Sequence, residues 1–446
     1  MTFGKIEESL AKVADIDRNG YRLNSVLALS KDLKFNDKEG PLAGIPILIK
    51  DNIEAIGLPA TAGSLALKDT EVVRDSTIAK RLRAAGATII GSTNLSEWAN
   101  IRSGKSTSGW SAVGGLTANP WKHAHSAGGS SSGSGAAVGA GIVAMAVGSE
   151  TDGSIVCPAS LNGCVGIKPT VGSIPRDAMI PISASQDTPG PMAQTVAQAA
   201  ALLDVLTNRN IYTRAVDSAQ PLCIAVVKEW VTEDGGTNQL FAELLSKMSS
   251  ARIEFTELSL PAPTDEDGTA EFQVLMHELN EDLETYLTGR AGTRVRSLSD
   301  VVQFNKDNAG DEMQHFGQEY FDQALVLGGR NASYEKLRKE NLDWAVNRVL
   351  NPGFADFDIL IGETYSPAWK SNLGGGDDYS SASWISMAPA IAGTPIGCLP
   401  MGLVNGLPVG VGLVSRANEE DKLISAMAQI EKILDLGVLT PTFIKD

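Results

Sequence analysis

The sequence predicts an α/β fold, in which helices and strands alternate along most of the chain. Short apolar runs bounded by glycine or charged residues recur along it and are typical of buried strands. Between them lie segments with apolar residues at spacings of three and four, which are typical of amphipathic helices. The composition supports a large core, because 43% of the 446 residues are hydrophobic and only 20% are charged.

The first elements of the chain establish this alternation. Apolar residues spaced by three and four between positions 6 and 16 predict a helix that leads into a second helix, within residues 5–33. Residues 44–50 form an apolar run with Lys50 at its end, and this run predicts a buried strand. Residues 77–85 predict a helix, and 87–91 predict the strand that follows it. Such a short helix-to-strand connection is typical of sheets with parallel strands.

The same pattern continues along the chain. Further strands are predicted at 165–168, 223–227, 357–362, 396–400 and 409–414, and further helices at 136–144, 195–207, 239–249 and about 419–434. Residues 261–351 differ, because they are acidic, helix-prone and poor in strand formers. We therefore expect a single domain over residues 1–446, with 261–351 as a helical insert that caps the sheet.

The charge balance excludes several classes of partner. There are 37 basic and 53 acidic side chains, which gives 37 − 53 = −16. Binding to nucleic acid or an anionic membrane is disfavoured, because it needs a concentrated basic surface. Glu7 and Glu8 interrupt the region where a secretory signal needs an apolar run, so a cytoplasmic location is expected. The four cysteines contain no CxxC pair and are expected to be reduced and mostly buried.

Two stretches rich in serine and glycine are the strongest candidates for chemistry. They cover residues 126–135 and 150–158, and a predicted helix and short strand between them would return the chain close to its start. Two serine-bearing turns would then face each other. Glycine-rich turns can aim consecutive N–H groups into one concavity, which can stabilise an oxyanion or bind a phosphate.

Three other readings of the motifs have little support. Gly104, Lys105 and Ser106 resemble the end of a P-loop, but the first glycine of that motif is absent and no strand precedes it directly. Ser131 lies in a GxSxG match without the preceding strand or a histidine base far downstream. His123 and His125 have no third ligand nearby, so no metal site is expected.

Histidine is the usual base for a serine nucleophile, but this chain has only four histidines. A serine nucleophile here would need another base, and lysine is the usual substitute when it is held neutral. Lys50 follows a predicted buried strand, where loss of water would lower its pKa. This makes Lys50 the candidate base. The alternative is a lysine at a strand end that extends to solvent and pairs with Asp51.

At this point the sequence resembles the amidase signature family. The motifs that carry the resemblance are GIPILIK at 44–50, GGSSSG at 128–133, GSETDGS at 148–154, GCVGIKPT at 163–170, PMG at 400–402 and GLPVG at 406–410. They occur in the family's order, from about residue 20 onward, and match only loosely through the acidic insert. The resemblance implies an α/β/α sandwich with a central mixed sheet.

The resemblance also implies the chemistry. It assigns Ser154 as the nucleophile, Ser130 as the bridging serine and Lys50 as the base of a Ser-Ser-Lys triad that works through an acyl-enzyme without metal or cofactor. It implies a cis peptide bond between Gly129 and Ser130. The implied oxyanion hole is formed by the backbone N–H groups of Thr151, Asp152, Gly153 and Ser154, and the implied substrate contacts are Ser103, Gly104 and Ser131.

Departures from the commonest family pattern point to a subgroup. Asp152 and Val156 replace the usual glycine and arginine, and together with SQDTPGPM at 185–192 they resemble bacterial peptide amidases, which release ammonia from C-terminal carboxamides. The alternatives are a hydrolase of small aliphatic or aryl amides and a glutamine-hydrolysing subunit similar to the A subunit of a tRNA-dependent amidotransferase. A monomer or homodimer is expected. The orientation of Asp152, whose charge would oppose an oxyanion, is left open.

Overall fold

A large mixed sheet organises the fold. The computed structural model describes residues 6–31, 38–218 and 220–445. The strands in these residues are β1 Val26–Leu29, β2 Pro46–Lys50, β3 Thr88–Thr93, β4 Trp110–Ser111, β5 Gly115–Leu116, β6 Met145–Glu150, β7 Val165–Lys168, β8 Thr188–Ala193, β9 Ile224–Val227, β10 Phe255–Leu258, β11 Ile359–Glu363, β12 Ile396–Val404 and β13 Leu407–Ser415. Eleven of them form one sheet in the order β1-β3-β2-β6-β8-β7-β12-β13-β11-β9-β10, and β4 pairs with β5.

Parallel and antiparallel pairs lie in different parts of this sheet. β2 runs parallel to β3 and β6, and β9 runs parallel to β10 and β11. The strands from β6 through β8, β7, β12 and β13 to β11 pair in antiparallel, as does β1 with β3. The mixed sheet that the family resemblance implies is therefore confirmed.

Helices cover both faces of the sheet. They are α1 Ile6–Lys12, α2 Leu65–Lys68, α3 Thr77–Ala84, α4 Ser132–Gly139, α5 Val156–Asn162, α6 Val196–Thr207, α7 Tyr212–Ala215, α8 Gly235–Ser250, α9 Asp265–Gly289, α10 Leu298–Asp307, α11 Ala309–Glu312, α12 Glu319–Leu327, α13 Ala332–Leu342, α14 Asn351–Gly353, α15 Met387–Ala392 and α16 Glu420–Leu434. One apolar core contains α3, α6, α8 and α16, and the core on the other face contains α4, α5 and α15. The predicted α/β/α class is confirmed.

The helices within residues 261–351 add a third apolar cluster. Buried residues of α9, α10 and α12 pack together with Trp98, Ile101 and Ile182. This cluster joins the helical segment to the loops that contain Trp98, Ile101 and Ile182. The description of residues 261–351 as an insert in a single domain stays a prediction.

The prediction of a second helix within residues 5–33 is wrong. After α1 and a π-helical turn at Val13–Asn19, the chain reverses through Arg22 and Asn24, which have φ angles of 61° and 55°. It then forms β1, which pairs with β3. Pairing with a strand distant in sequence outweighs the local helical pattern here. Residues 5, 32 and 33 of the predicted segment lie outside the described residues.

Strand β8 was not predicted, because Pro189, Gly190 and Pro191 argue against a central strand. The pairing explains how the strand tolerates them. β6 pairs along the whole of β8, whereas β7 pairs only with Met192 and Ala193. The two prolines therefore lie where the β7 side of the strand has no ladder, so that their missing N–H groups break no pairing there.

Two further observations concern the helices and the cysteines. No helix in the described part of the chain has the length and apolar character needed to cross a membrane. All four cysteines are free thiols, of which Cys157, Cys164 and Cys398 are buried and Cys223 is exposed. This agrees with the predicted reduced and mostly buried cysteines.

Candidate active site

Lys50 is the last residue of β2, and the alternation of the strand decides which face its side chain reaches. Ile47 and Ile49 lie in the core under α3 and α6, whereas Leu48 lies in the core that contains α4 and α5. Since successive side chains of a strand point to opposite faces, Lys50 points toward α4 and α5. Its side chain is completely buried there.

The contacts of the Lys50 amine leave its lone pair for a hydroxyl group. Nζ lies 2.7 Å from Ser130 Oγ, 3.1 Å from Ser131 Oγ, 3.0 Å from Ser149 Oγ and 3.1 Å from the Ser149 carbonyl. The carbonyl can only accept. Ser131 donates its own proton to that carbonyl at 2.9 Å, so Ser131 Oγ also accepts from Nζ. A neutral amine then has its lone pair left, and Ser130 is the nearest hydroxyl that can donate to it.

Burial favours this neutral form. Desolvation lowers the pKa of Lys50 to about 7, although the charges of Asp187 and Glu150 oppose the shift. Asp51 does not neutralise the amine, because its carboxylate accepts the N–H groups of Ala60 and Thr61 and the Thr61 hydroxyl. The alternative of a strand-end lysine paired with Asp51 is therefore wrong.

Ser130 lies in the loop that leads into α4. The peptide bond between Gly129 and Ser130 is cis, as the family resemblance implies. The helix begins earlier than predicted, at Ser132, and packs closely on α5. A Cβ at Gly139 would lie 2.4 Å from the Asn162 carbonyl oxygen. Glycine therefore permits the close approach of the two helices, each of which begins just after one of the serine-bearing turns.

Ser154 lies in the turn between β6 and α5. Glu150, at the end of β6, accepts the N–H groups of Ile155 at 2.6 Å and Val156 at 2.9 Å, which closes the turn and satisfies the first donors of the helix. The Ser131 N–H donates to the Ser154 carbonyl at 3.1 Å. The two serine-bearing turns therefore meet, as the sequence predicts.

Backbone donors in the Ser154 turn are unused. Among the described residues, the N–H groups of Asp152, Gly153 and Ser154 enter no hydrogen bond. Gly153 has a φ of 75°, and a Cβ at this position would lie 2.5 Å from the hydroxyl of Tyr365. Glycine is therefore needed both for the turn and for its packing. Unpaired N–H groups in one turn are suited to stabilise an oxyanion.

Asp187 accepts a hydrogen bond from Thr151, the residue with which the Ser154 turn begins. Its Oδ1 accepts the hydroxyl of Thr151 at 2.6 Å, and its Oδ2 accepts the N–H groups of Ile182 at 2.8 Å and Ser183 at 2.9 Å. Burial raises the pKa of Asp187 to about 6. The carboxylate thus joins the loop before β8 to the Ser154 turn.

A cavity of about 300 Å³ opens on Ser154. Its wall contains Gly129 and residues 151–154, so it receives both serine-bearing turns. The residues of the wall that sequence reasoning missed include Asn100, Ile101, Leu275, Tyr365, Tyr379 and Ser386. Tyr365 lies two residues after β11, and residues that follow a strand's carboxyl end often line sites in such sheets. That position is the one signal that could have identified it.

Ser103 and Gly104 lie close to this wall but do not form it. The Ser103 hydroxyl and the Gly104 N–H both donate to Glu319 Oε1, at 2.7 and 2.8 Å. Asn100 and Ile101, slightly earlier in the same segment, reach the cavity instead. Ser131 is fully buried and holds Lys50. Contact of Ser103, Gly104 or Ser131 with substrate stays a prediction.

Comparison with known proteins gives matches along nearly the whole chain. The Amidase family model matches residues 23–424. The A subunit of glutamyl-tRNA(Gln) amidotransferase from Methanococcoides burtonii is 33% identical, and the alignment covers 94% of this chain and 90% of that one. A probable amidase from Arabidopsis thaliana is 32% identical over 90% of this chain and 79% of its own. The solved structure of native peptide amidase from Stenotrophomonas maltophilia has a TM-score of 0.91 and 36% identity, and covers 98% of this chain and 94% of its own.

The family match covers all the segments that carry the resemblance, from residue 44 to residue 410. The matched region runs from before β1 to within α16, and it includes the sheet and both serine-bearing turns. The chain belongs to the amidase signature family, and it is an amide hydrolase.

Proposed function

We propose that Lys50, Ser130 and Ser154 act as a catalytic triad that forms an acyl-enzyme on Ser154. The observation that carries this proposal is the buried Lys50 amine, whose lone pair is left for Ser130 beside the cavity that contains Ser154. Neutral Lys50 takes the proton of Ser130 while Ser130 takes that of Ser154, whose oxygen attacks the amide carbonyl. The N–H groups of residues 151–154, of which those of Asp152, Gly153 and Ser154 are unused, then stabilise the oxyanion.

The second half of the reaction uses the same groups in reverse. Lys50 returns the proton to Ser130, Ser130 protonates the departing nitrogen, and the C–N bond breaks to leave the acyl group on Ser154. Water deprotonated through the same relay then cleaves the ester and restores the Ser154 hydroxyl. Two contacts support this relay: Ser130 Oγ lies 2.7 Å from Lys50 Nζ, and the neighbouring Ser131 N–H donates to the Ser154 carbonyl.

C-terminal carboxamides of peptides, or similar amides, are the substrates that the comparisons favour. The structure of the Stenotrophomonas maltophilia peptide amidase is similar over nearly the whole chain. The A subunit of the amidotransferase from Thermotoga maritima is less similar, with a TM-score of 0.71 and 25% identity. The 33% identity to the Methanococcoides burtonii subunit keeps a glutamine-hydrolysing subunit as the second candidate. A hydrolase of small aliphatic or aryl amides is the third.

Ammonia or amine release by the purified chain alone separates these candidates. The panel contains a peptide carboxamide, a free aliphatic amide, an anilide and glutamine, and kcat/KM is measured for each. We expect the peptide carboxamide to give the highest value. Hydrolysis of glutamine only after addition of partner chains would favour the amidotransferase subunit, and a preference for the aliphatic amide or the anilide would favour the third candidate.

The pH dependence should follow the protonation of Lys50. The base must be neutral, and burial lowers its pKa to about 7, so kcat/KM is expected to rise with pH, with a midpoint near 7, and to level off above it. Steady-state ammonia release between pH 5 and 9 measures this rise, which is the acid limb of the pH profile. A profile that falls through this range as pH rises would contradict the assignment of a neutral lysine base.

The variant Asp187→Asn shows which group produces the limb. The charge of Asp187 raises the pKa of Lys50, so its removal is expected to move the midpoint to lower pH. The loss of the Asp187 charge also weakens the hold on Thr151, which lowers the plateau but does not by itself move the midpoint. An unmoved midpoint would mean that Lys50 does not control the limb.

A further inference from the structure

The cavity beside Ser154 has an apolar patch in its wall, formed by Ile101, Ile182 and Leu275. All three residues line the cavity, and all three belong to the buried cluster of α9, α10 and α12. Each keeps a small exposed fraction, which is 9% for Ile101, 6% for Ile182 and 8% for Leu275. The cluster therefore reaches the surface of the cavity at these residues. A ligand bound at Ser154 meets the hydrocarbon surface that the cluster leaves open.

The loops that carry two of these residues are anchored outside the cavity. Ile101 is followed by Arg102, which is fully buried and pairs with Glu97 at an Nε–Oε1 distance of 2.8 Å. The N–H group of Ile182 donates to Asp187 Oδ2 at 2.8 Å. The third residue of the patch belongs to the long helix α9. A wall held in this way is preorganised for a ligand of defined shape.

The wall contains no cation. Among the described residues that line the cavity, none has an amine or guanidinium group, and Asp152 is the only one with a carboxyl group. A carboxylate of the substrate would lose water here without gaining an ion-pair partner, which is costly. An uncharged hydrocarbon group meets no such cost. The cavity therefore disfavours substrates with a carboxylate close to the reacting amide, such as free glutamine.

The reaction decides which part of the substrate meets the apolar patch. In hydrolysis of a primary carboxamide the leaving group is ammonia, which has no hydrocarbon part, so the patch is available to the acyl group alone. A peptide backbone has N–H and C=O groups that need polar partners, whereas the side chain of the last residue does not. The volume of about 300 Å³ is at the lower end of the range for ligand cavities, so it suits one residue and not a long segment.

Resting on the proposed function, we propose that Ile101, Ile182 and Leu275 are specificity-determining residues that bind the side chain of the residue whose carboxamide is hydrolysed. The substrates they select are carboxamides of residues with uncharged hydrocarbon side chains. Carboxamides of acidic residues are poor substrates, because their second carboxylate would lie against the patch. Since Leu275 lies on α9, the helical segment takes part in the choice of substrate.

Three N-acetylated carboxamides with the same backbone test this assignment in the wild type. They are the α-carboxamides of alanine, leucine and aspartate, and kcat/KM is measured for each from ammonia release. The leucine and aspartate side chains have equal numbers of non-hydrogen atoms and a similar branched shape, so they differ mainly in charge. We expect leucine to exceed alanine by roughly 10-fold to 100-fold, since each buried methylene contributes about fourfold. We expect it to exceed aspartate by roughly 100-fold or more.

The variant Leu275→Ala has a matched control in Leu279→Ala. Leu279 lies one turn later on α9 and is fully buried in the same cluster, but it does not line the cavity. We expect the leucine-to-alanine ratio of kcat/KM to fall roughly 3-fold to 10-fold in Leu275→Ala and to stay within about twofold of wild type in the control. Ile182→Ala, a change in a loop, should lower the ratio in the same way. Each ratio comes from one preparation, so it does not depend on the folded fraction.

Several outcomes would overturn the proposal. They are a wild-type ratio near 1 for leucine against alanine or against aspartate, and an equal fall in Leu275→Ala and Leu279→Ala. Acetanilide and acetamide check the orientation: if Leu275→Ala changes only their ratio, the patch meets the leaving group instead. If this inference alone fails, the wild type still releases ammonia from the three carboxamides and Ser154→Ala from none of them. Ammonia release that persists in Ser154→Ala would instead count against the proposed function.

Discussion

Replacing Ser154 with alanine is expected to lower kcat/KM for carboxamide hydrolysis by roughly 10⁴-fold to 10⁶-fold, the range for removal of a serine nucleophile. The reason is that no acyl-enzyme can form without the Ser154 hydroxyl. Ser130 does not replace it, because its Oγ is held in contact with Lys50 Nζ at 2.7 Å. Steady-state ammonia release measures the loss, and intact-mass analysis after treatment with a fluorophosphonate shows whether any serine still attacks phosphorus, displaces fluoride and becomes phosphonylated.

A matched serine in the same helix serves as the control. Ser160 is buried one turn after the start of α5, and its Oγ lies in hydrogen-bond contact with Thr364 Oγ1 at 3.0 Å. Thr364 donates its one hydroxyl proton to the Gly410 carbonyl, so it keeps this partner in Ser160→Ala. We expect this control to retain activity within about threefold, since it removes one ordinary buried hydrogen bond. Turnover retained in Ser154→Ala at the level of the control would refute the nucleophile assignment.

The alternation of helices and strands was predictable because each element has its own hydrophobic period. The run at residues 44–50 predicts β2 with Lys50 at its end, and the helix predicted at 195–207 is found at Val196–Thr207. In these elements the spacing of apolar residues along the sequence matches the pattern of buried residues in the structure. Successive side chains along β2 alternate between the two faces of the sheet, and this alternation also predicts the face to which Lys50 points.

The errors concern elements that depend on a distant partner. β1 forms because it can pair with β3, and the prolines of β8 are tolerated because β7 pairs only with Met192 and Ala193 of that strand. Neither condition is visible in the local sequence. The order of strands in the sheet has the same origin, since it is set by pairing between segments far apart in the chain.

The site likewise contains some residues that the sequence predicts and others that only the packing reveals. Lys50, Ser130 and Ser154 lie in motifs that can be read from the sequence, and the structure brings both serine-bearing turns together at Lys50. By contrast, Tyr365 and Leu275 reach the cavity from β11's end and from α9. Their positions in the wall depend on how the end of β11 and helix α9 pack against the Ser154 turn. The sequence could raise the question of where Asp152 points, but only the packing places it in the cavity wall.

Replacing Lys50 with alanine is expected to lower kcat/KM by roughly 10²-fold to 10⁴-fold, the usual contribution of a general base. The variant removes the acceptor for the Ser130 proton, so Ser154 cannot be activated through the relay. It also removes the amine that donates to the Ser149 carbonyl and Ser131. The rise in activity near pH 7 should disappear with it, because the group that titrates there is gone.

Chemical rescue separates the loss of the base from a loss of structure. Lys50→Ala leaves a space on the α4 and α5 face of β2, and a small amine such as methylamine can enter it and accept the Ser130 proton. Lys50→Met fills the same space with an apolar chain of similar length. We expect added methylamine to restore part of the activity of Lys50→Ala and none of that of Lys50→Met, with thermal unfolding showing that both variants are folded. Equal rescue of the two variants, or full activity in either without amine, would mean that Lys50 is not the base.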